Sequence, residues 1–366
     1  MTHSLDAPFS DFDSAMIQRC LVLARRGMGY TSPNPMVGAV IVQGETIVGE
    51  GFHPRVGQPH GEVFALQEAG EKAAGATIYV NLEPCNHQGR TPPCTQALIK
   101  AKVRKVVVGM IDPNPLVCGS GIQTLRDAGI EVVVGVEEAA CRRLNEAFIH
   151  RVVQQRPLGI LKYAMTLDGK IAATTGHSSW VTGIEARAWV HQQRAIADAV
   201  IVGGNTVRHD NPFLTTHGVS DRQPLRVVMS RRCDLPPNAN LWDVQNAPTV
   251  VFTETHQNLP MQQTLQQQGV EVVTFPKLTP EVVMESLYYR GFSQVFWECG
   301  GVLAAAALKS GVIQKVMAFI APKIIGGQTA PSPVSDLGLK QMNDAIALKD
   351  VEMQAIGDDF LVTGYI

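Results

Sequence analysis

Met16, Cys20, Leu21, Leu23 and Ala24 recur at three- to four-residue spacing, which predicts a helix. Ser10 with Asp13 three residues on reads as its capping box, and Gly27 ends it. Val37 to Val42 and Thr46 to Val48 are β-rich runs on either side of Gln43-Gly44-Glu45, the pattern of a hairpin. Helical spacing returns at Val63, Leu66 and Ala69, so His60 and Glu62 fall at or just before a helix start. Thr77 to Leu82 and Lys105 to Met110 read as strands, and Pro92-Pro93-Cys94 opens a helix to Ala101. A helix through Leu125, a strand from Glu131 to Val136 and a helix from Glu138 to Ile149 complete an alternating α/β unit over 1–150.

Residues 151–158 are polar, Gln-rich and contain Pro157, and read as a linker. The region 159–366 alternates again. Its strands are predicted at Ile160 to Met165, Ala199 to Val202, Leu225 to Val228, Thr249 to Phe252, Val270 to Phe275, Gln294 to Trp297 and Val316 to Ile320. Helices are predicted from a Thr182 cap to Arg194 and at Asn258 to Gln268, Thr279 to Arg290 and Val302 to Leu308, with one or two closing strands in 349–365.

Composition narrows the function class. A length of 366 residues fits two domains, and 45% hydrophobic content supports a core in each. A net charge of −2 offers no basic footprint for nucleic acid, and no apolar run approaches a membrane span, so a small-molecule substrate is expected. Seven scattered cysteines and no secretory leader point to a reducing, cytoplasmic setting.

The chemistry concentrates at Pro59-His60-Gly61-Glu62, Glu83-Pro84-Cys85 and Cys94. One imidazole and two thiolates are a three-ligand set for Zn2+ that leaves a tetrahedral position for water. Glu62 is placed as a proton shuttle beside that water. The order His-x-Glu…Pro-Cys…Cys is the pattern of zinc-dependent nucleobase deaminases, with eight residues between the cysteines in place of two. Both thiolates are expected near helix N-termini, where the dipole favours negative charge. A closed structural site using His53 or His87 as fourth ligand, and a nucleic-acid-editing deaminase, stand as alternatives. In the second half, Glu298-Cys299-Gly300-Gly301 leads from a strand into an alanine-rich helix, a place where phosphate can approach backbone N–H groups.

His60-Gly61-Glu62, Glu83-Pro84-Cys85, Gly89-Arg90-Thr91-Pro92-Pro93-Cys94, Asp112-Pro113-Asn114-Pro115, Leu167-Asp168-Gly169-Lys170 and Glu298-x-Gly-Gly occur in this order. In them the chain resembles the bifunctional riboflavin biosynthesis deaminase–reductases. The resemblance implies a cytidine-deaminase-like three-layer domain followed by a dihydrofolate-reductase-like domain that uses NADPH. It implies two reactions: deamination of a phosphoribosyl diaminopyrimidine, then reduction of its ribosyl group to ribityl. It further implies a homo-oligomer formed through the reductase domain.

By the same resemblance His60, Cys85 and Cys94 hold zinc and Glu62 moves protons, while Asn34, His87, Arg90, Asp112 and Asn114 line the pyrimidine and phosphate site. Ala164, Trp180, Thr206, Asp210 and the run Gly300, Gly301, Val302, Leu303, Ala304, Ala305, Ala306 match NADP-contacting positions. Ser178, Arg194, Leu214, His217 and Glu298 match substrate-contacting ones. The chain departs from the family at His217, where arginine is usual, at Met229-Ser230-Arg231 and at Val312-Ile313-Gln314-Lys315. These departures motivate a further alternative, an active deaminase whose reductase half no longer turns over.

Overall fold

The structure is a computed structural model, and it describes residues 9–87, 92–115 and 117–366. The chain divides into two compact units, one ending at Gln155 and the other beginning at Arg156.

In chain order the first unit contains α1 (Asp11–Ala24), β1 (Gly38–Gln43), β2 (Thr46–Phe52), α2 (Gly61–Ala69), β3 (Thr77–Val80), α3 (Cys94–Lys100), β4 (Lys105–Val108), α4 (Ser120–Asp127), β5 (Glu131–Val134), α5 (Glu138–Leu144) and α6 (Glu146–Gln154). Its sheet runs β2-β1-β3-β4-β5, with the hairpin antiparallel and β3, β4 and β5 parallel. The capping box at Ser10 and Asp13 forms as expected. Gly38 shows how tightly α1 lies on one face, because a side chain there would meet the Cys20 carbonyl at 2.1 Å. Gly51 faces the other way in the pleat. A side chain at Gly51 would meet the Gly61 carbonyl at 2.3 Å, so this glycine brings the first turn of α2 down onto β2. The result is a three-layer unit with helices on both faces.

The single helix expected from Glu138 to Ile149 is two helices broken at Asn145, whose side chain accepts from Met36 N–H (2.8 Å) and donates to the Met36 carbonyl (3.0 Å). An amide engaged that way holds its backbone out of a continuous helix. The stretch read as a linker is helical through Gln154, and Gln155, at φ 51°, turns the chain into the second unit.

The second unit contains β6 (Leu158–Thr166), α7 (Ile184–Ile196), β7 (Ala199–Gly203), α8 (Gly204–Asp210), β8 (Leu225–Met229), β9 (Thr249–Glu254), α9 (Leu259–Gln267), β10 (Glu271–Phe275), α10 (Pro280–Tyr289), β11 (Gln294–Trp297), α11 (Gly301–Lys309), β12 (Lys315–Ala321), β13 (Lys349–Ile356) and β14 (Asp359–Tyr365). The strand order is β10-β9-β8-β7-β11-β6-β12-β14-β13, parallel from β10 to β12 and antiparallel at β14 and β13. The core around Val227, Phe252, Val295 and Trp297 is fully buried. The chain moves outward from β7 to β10 and then returns to insert β11 between β7 and β6. In open α/β sheets such a switch point is where ligands bind, beyond the carboxyl ends of the strands.

Two local expectations change. Thr182 is not the cap of α7: Gly183 takes that position, and its N–H donates to the Asp359 carboxylate at 2.7 Å. Helix α8, which carries Thr206 and Asp210, is an element that the apolar spacing did not predict. No helix among the described residues is long and apolar enough to cross a membrane.

Candidate functional site

His60 is the N-cap residue of α2, Cys94 is the first residue of α3, and Cys85 lies in the loop after β3. Their donor atoms lie within 4.8 Å of one another. His60 Nδ1 is 3.5 Å from Cys85 Sγ and 3.4 Å from Cys94 Sγ. Metal legs of about 2.1 Å to nitrogen and 2.3 Å to sulfur give a tetrahedral edge of about 3.6 Å, so these separations suit zinc. Cys85 does not itself start a helix. Instead its sulfur accepts the N–H of Cys94 at 3.3 Å, and so it still shares the N-terminus of α3.

The protonation pattern suits a cation site. His60 is drawn up to about 9, chiefly by its bond to the Cys85 sulfur, and Cys85 is held at about 4 by the Cys94 and His60 bonds despite burial. The thiolate beside it, together with burial, pushes Cys94 upward. Without a metal the three donors share protons that a divalent cation would displace. Glu62 is buried, and its Oε2 has no hydrogen-bond partner. A buried unpaired carboxylate oxygen is costly unless something else occupies the site. Its place in the first turn of α2, two residues beyond His60, aims it at the same centre.

The question of a fourth protein ligand resolves at His53. Its Nδ1 bonds the Pro59 carbonyl at 3.0 Å and its Nε2 bonds the Asn34 side-chain amide at 3.1 Å, so both ring nitrogens are engaged and burial favours the neutral ring. This string fixes the backbone that enters His60. His87 is exposed, and among the described residues only His60, Cys85 and Cys94 gather as a metal-ligand group. Arg90 lies outside the described residues.

Glu83, one residue before the Pro84-Cys85 pair, is the group that the motif alone did not explain. Its carboxylate accepts four backbone N–H groups: Asp112 (3.1 Å), Gly119 (3.0 Å), Gly121 (2.9 Å) and Ile122 (3.3 Å). It thereby caps α4 and ties the loop of Asp112 and Asn114 to the metal-donor segment. Asp112 accepts the Asn114 N–H at 2.8 Å, and burial raises its carboxyl while His87 opposes the rise.

The second unit holds two adjoining cavities at the switch point, of about 510 and 990 Å³. Ala164, Ser178, Trp180, Arg194, Thr206, Asp210, Leu214, Glu298 and Gly300 line the smaller. Glu298 lies at its floor, paired with Arg194 through both oxygens (2.6 and 3.1 Å) and with Lys162 at 3.4 Å. Burial alone would raise this carboxyl, but Arg194 and Lys162 hold it at about 2. Ser178 donates to Asp210 at 2.7 Å, and the Trp180 ring stacks on the Arg187 guanidinium, 4.3 Å from its centroid.

The larger cavity takes Gly301, Val302, Leu303 and Ala306 from α11. Ala304 and Ala305 line neither cavity and are buried on the opposite side of that helix. The two glycines have separate duties: a side chain at Gly301 would strike the Ser332 carbonyl at 2.6 Å, whereas the space at Gly300 is open. His217 is not a lining residue and stacks on His191, which is, with ring centroids 4.1 Å apart. Lys162, Arg187 and His191 escaped the sequence reading. The one signal was a lysine inside the otherwise apolar strand Leu158–Thr166, two residues before Ala164 and so on the same face.

Burial, His217 and Arg194 hold His191 down to about 4, with Glu298 pulling the other way and Arg187 adding to the repulsion. A histidine near 6.5 when unfolded and near 4 when folded binds protons preferentially in the unfolded chain, so stability falls as pH drops through that window. We expect the second unit's melting temperature to fall between pH 7 and pH 5, and His191→Gln to make that fall shallower. An unchanged slope would refute the assignment.

A sequence family described as the cytidine and deoxycytidylate deaminase zinc-binding region matches residues 10–110, and one described as the RibD C-terminal domain matches residues 157–362. The riboflavin biosynthesis protein RibD of Synechocystis is 62% identical over 97% of this chain and 96% of its own length. The chain belongs to the RibD family. RibD of Acinetobacter baumannii superposes with a TM-score of 0.87 at 38% identity, covering 97% of this chain and 98% of that one. A Thermotoga maritima structure gives 0.87 at 36% identity, covering the same shares. That protein is described as a diaminohydroxyphosphoribosylaminopyrimidine deaminase and 5-amino-6-(5-phosphoribosylamino)uracil reductase. The two units of this RibD family member therefore correspond to a zinc deaminase domain and a reductase domain.

Proposed function

We propose that the first unit deaminates the phosphoribosyl diaminopyrimidine of riboflavin biosynthesis and that the second reduces the ribosyl group of the product to ribityl with NADPH. The observation that carries this reading is the His60, Cys85 and Cys94 donor triangle with the unpartnered Glu62 oxygen beside it. His60, Cys85 and Cys94 would hold zinc, which would supply the Lewis acidity that makes water a nucleophile at neutral pH. Glu62 takes the proton from the attacking water as its oxygen bonds to the amino-bearing ring carbon. It passes that proton to a ring nitrogen, then takes the proton of the new hydroxyl and hands it to the amino group, which leaves as ammonia when the carbon–nitrogen bond breaks and the carbonyl forms. Asn34, His87, Asp112 and Asn114 hold the pyrimidine, the last two through the loop that Glu83 fixes.

In the second unit the bound NADPH supplies a hydride. Glu298 stays ionised and therefore acts as a hydrogen-bond acceptor toward sugar hydroxyls and as the anchor of Arg194 and Lys162, not as an acid. His217 is accommodated by its stack on His191, and the reading in which this half has lost turnover finds no support in the site. The test is a tandem assay on the purified chain, following ammonia release and NADPH oxidation together. Ammonia without NADPH consumption would remove the second half of the reading.

Homo-oligomer formation through the reductase unit belongs to the same reading. Strand β13 ends the sheet with Val351 and Met353 exposed. Unpaired edges of this kind invite pairing with another chain. We expect Val351→Lys with Met353→Glu to convert an oligomer to monomers by sedimentation while leaving ammonia release intact, whereas unchanged sedimentation would exclude this edge. The seven cysteines, two of them metal donors in this reading and none in a disulfide, suit a reducing cytoplasm.

A further inference from the structure

Asn145 is buried at the break between α5 and α6, and Asn81 is buried just beyond β3. Both side chains reach the stretch that leads into β1. Asn145 Oδ1 accepts the Met36 N–H at 2.8 Å, and its Nδ2 donates to the Met36 carbonyl at 3.0 Å. Asn81 Nδ2 donates to the same carbonyl at 2.9 Å, while its Oδ1 accepts the Gly38 N–H at 2.8 Å. Both backbone groups of Met36 are therefore held by buried amides, and one of those amides interrupts a helix to reach them. Only Asn145 serves the Met36 N–H, so Asn81 cannot stand in for it.

Met36 is two residues from Asn34, with Pro35 between them. Proline fixes its own φ and restricts the residue before it, so a clamp on Met36 fixes Asn34 as well. On the other side the Asn34 N–H closes a turn onto the Thr31 carbonyl at 2.7 Å. His53 then orients the side chain. The Pro59 carbonyl can only accept, so His53 Nδ1 carries the ring proton and Nε2 accepts from Asn34 Nδ2 at 3.1 Å. Asn34 Oδ1 has no hydrogen-bond partner among the described residues. The His53 ring stands edge-on to that of His60, with centroids 5.2 Å apart, so this amide is one ring removed from a metal donor.

We propose that Asn145 is a positioning residue for deamination: through Met36 it sets where the Asn34 amide oxygen stands to accept an amino or ring N–H group of the pyrimidine. The inference rests on the reading above in which Asn34 holds the pyrimidine. Asn145 is itself buried, so it acts only through that loop.

The test is a double-mutant cycle on the zinc-loaded full chain, with ammonia release measured per bound zinc. Asn34→Ala and Asn145→Ala should each raise the pyrimidine KM about five- to tenfold, the net worth of one hydrogen bond, with kcat changed less. Because Asn145 acts through Asn34, the double variant should stay within about twofold of Asn34→Ala alone. Hydrogen exchange over 34–38 should quicken in Asn145→Ala, and NADPH oxidation with pre-deaminated substrate should not change. Asn145→Asp is nearly isosteric and still accepts the Met36 N–H. It should raise KM less, and it carries the same cycle if the alanine variant melts early. An Asn145→Ala KM equal to the wild type beside a raised Asn34→Ala KM, losses that multiply in the double variant, or a parallel fall in NADPH oxidation would each overturn the positioning role. Asn34→Ala at the wild-type KM would instead overturn the pyrimidine contact beneath it, and the proposal with it.

Discussion

Glu62→Gln is expected to retain a full complement of zinc and to lose deamination by about 10²–10⁴-fold in kcat, the range that a positioned general acid–base supplies. The side chain is almost isosteric, and the donors His60, Cys85 and Cys94 are untouched, so metal content measured by elemental analysis should match the wild type. The loss should fall on kcat with little change in KM, because the proton is in transit only in the transition state. NADPH oxidation with pre-deaminated substrate should be unaffected, which gives an internal control within the same chain. Ammonia release within a few-fold of the wild type would remove Glu62 from the mechanism.

The second large effect is expected at Glu298. Its carboxylate is buried between Arg194 and Lys162. Glu298→Ala leaves two cations facing each other without their anion, and stranding buried charge in this way costs about 3–5 kcal/mol. Urea unfolding of the second unit should shift by that amount, and NADPH oxidation should vanish. Combining Glu298→Leu with Arg194→Met removes one stranded cation and should recover much of the stability but none of the activity. Such a double-mutant cycle separates the cost of an orphaned charge from the loss of a substrate contact. If Glu298→Ala unfolds at the wild-type urea concentration, the three groups are not coupled as the geometry indicates.

How much of this was legible in the sequence depended on whether the signal was local. The capping box at Ser10, the hairpin around Gly44 and each parallel strand carry their own periodicity and turn residues. Helix α8 did not, because Gly204-Asn205-Thr206 gives it poor intrinsic propensity and tertiary packing on β7 and β8 sustains it. Asn145 breaks a helix through a partner more than a hundred residues away, at Met36, which no window of sequence could reveal. The metal donors were legible because their chemistry constrains residue type and order. Lys162 and His191 were not, since one reaches the cavity from a strand and the other from a helix and no short spacing unites them.

Glu83 bears on how the deaminase half meets its substrate. One carboxylate binds the backbone at Asp112, Gly119, Gly121 and Ile122 while its own chain continues directly into Cys85. Cys85, the loop of Asp112 and Asn114 and the start of α4 are therefore a single casting, set when the protein folds. The entropic cost of arranging them falls on folding, once, and not on each turnover. Substrate entering this half meets a mould whose shape was decided before it arrived.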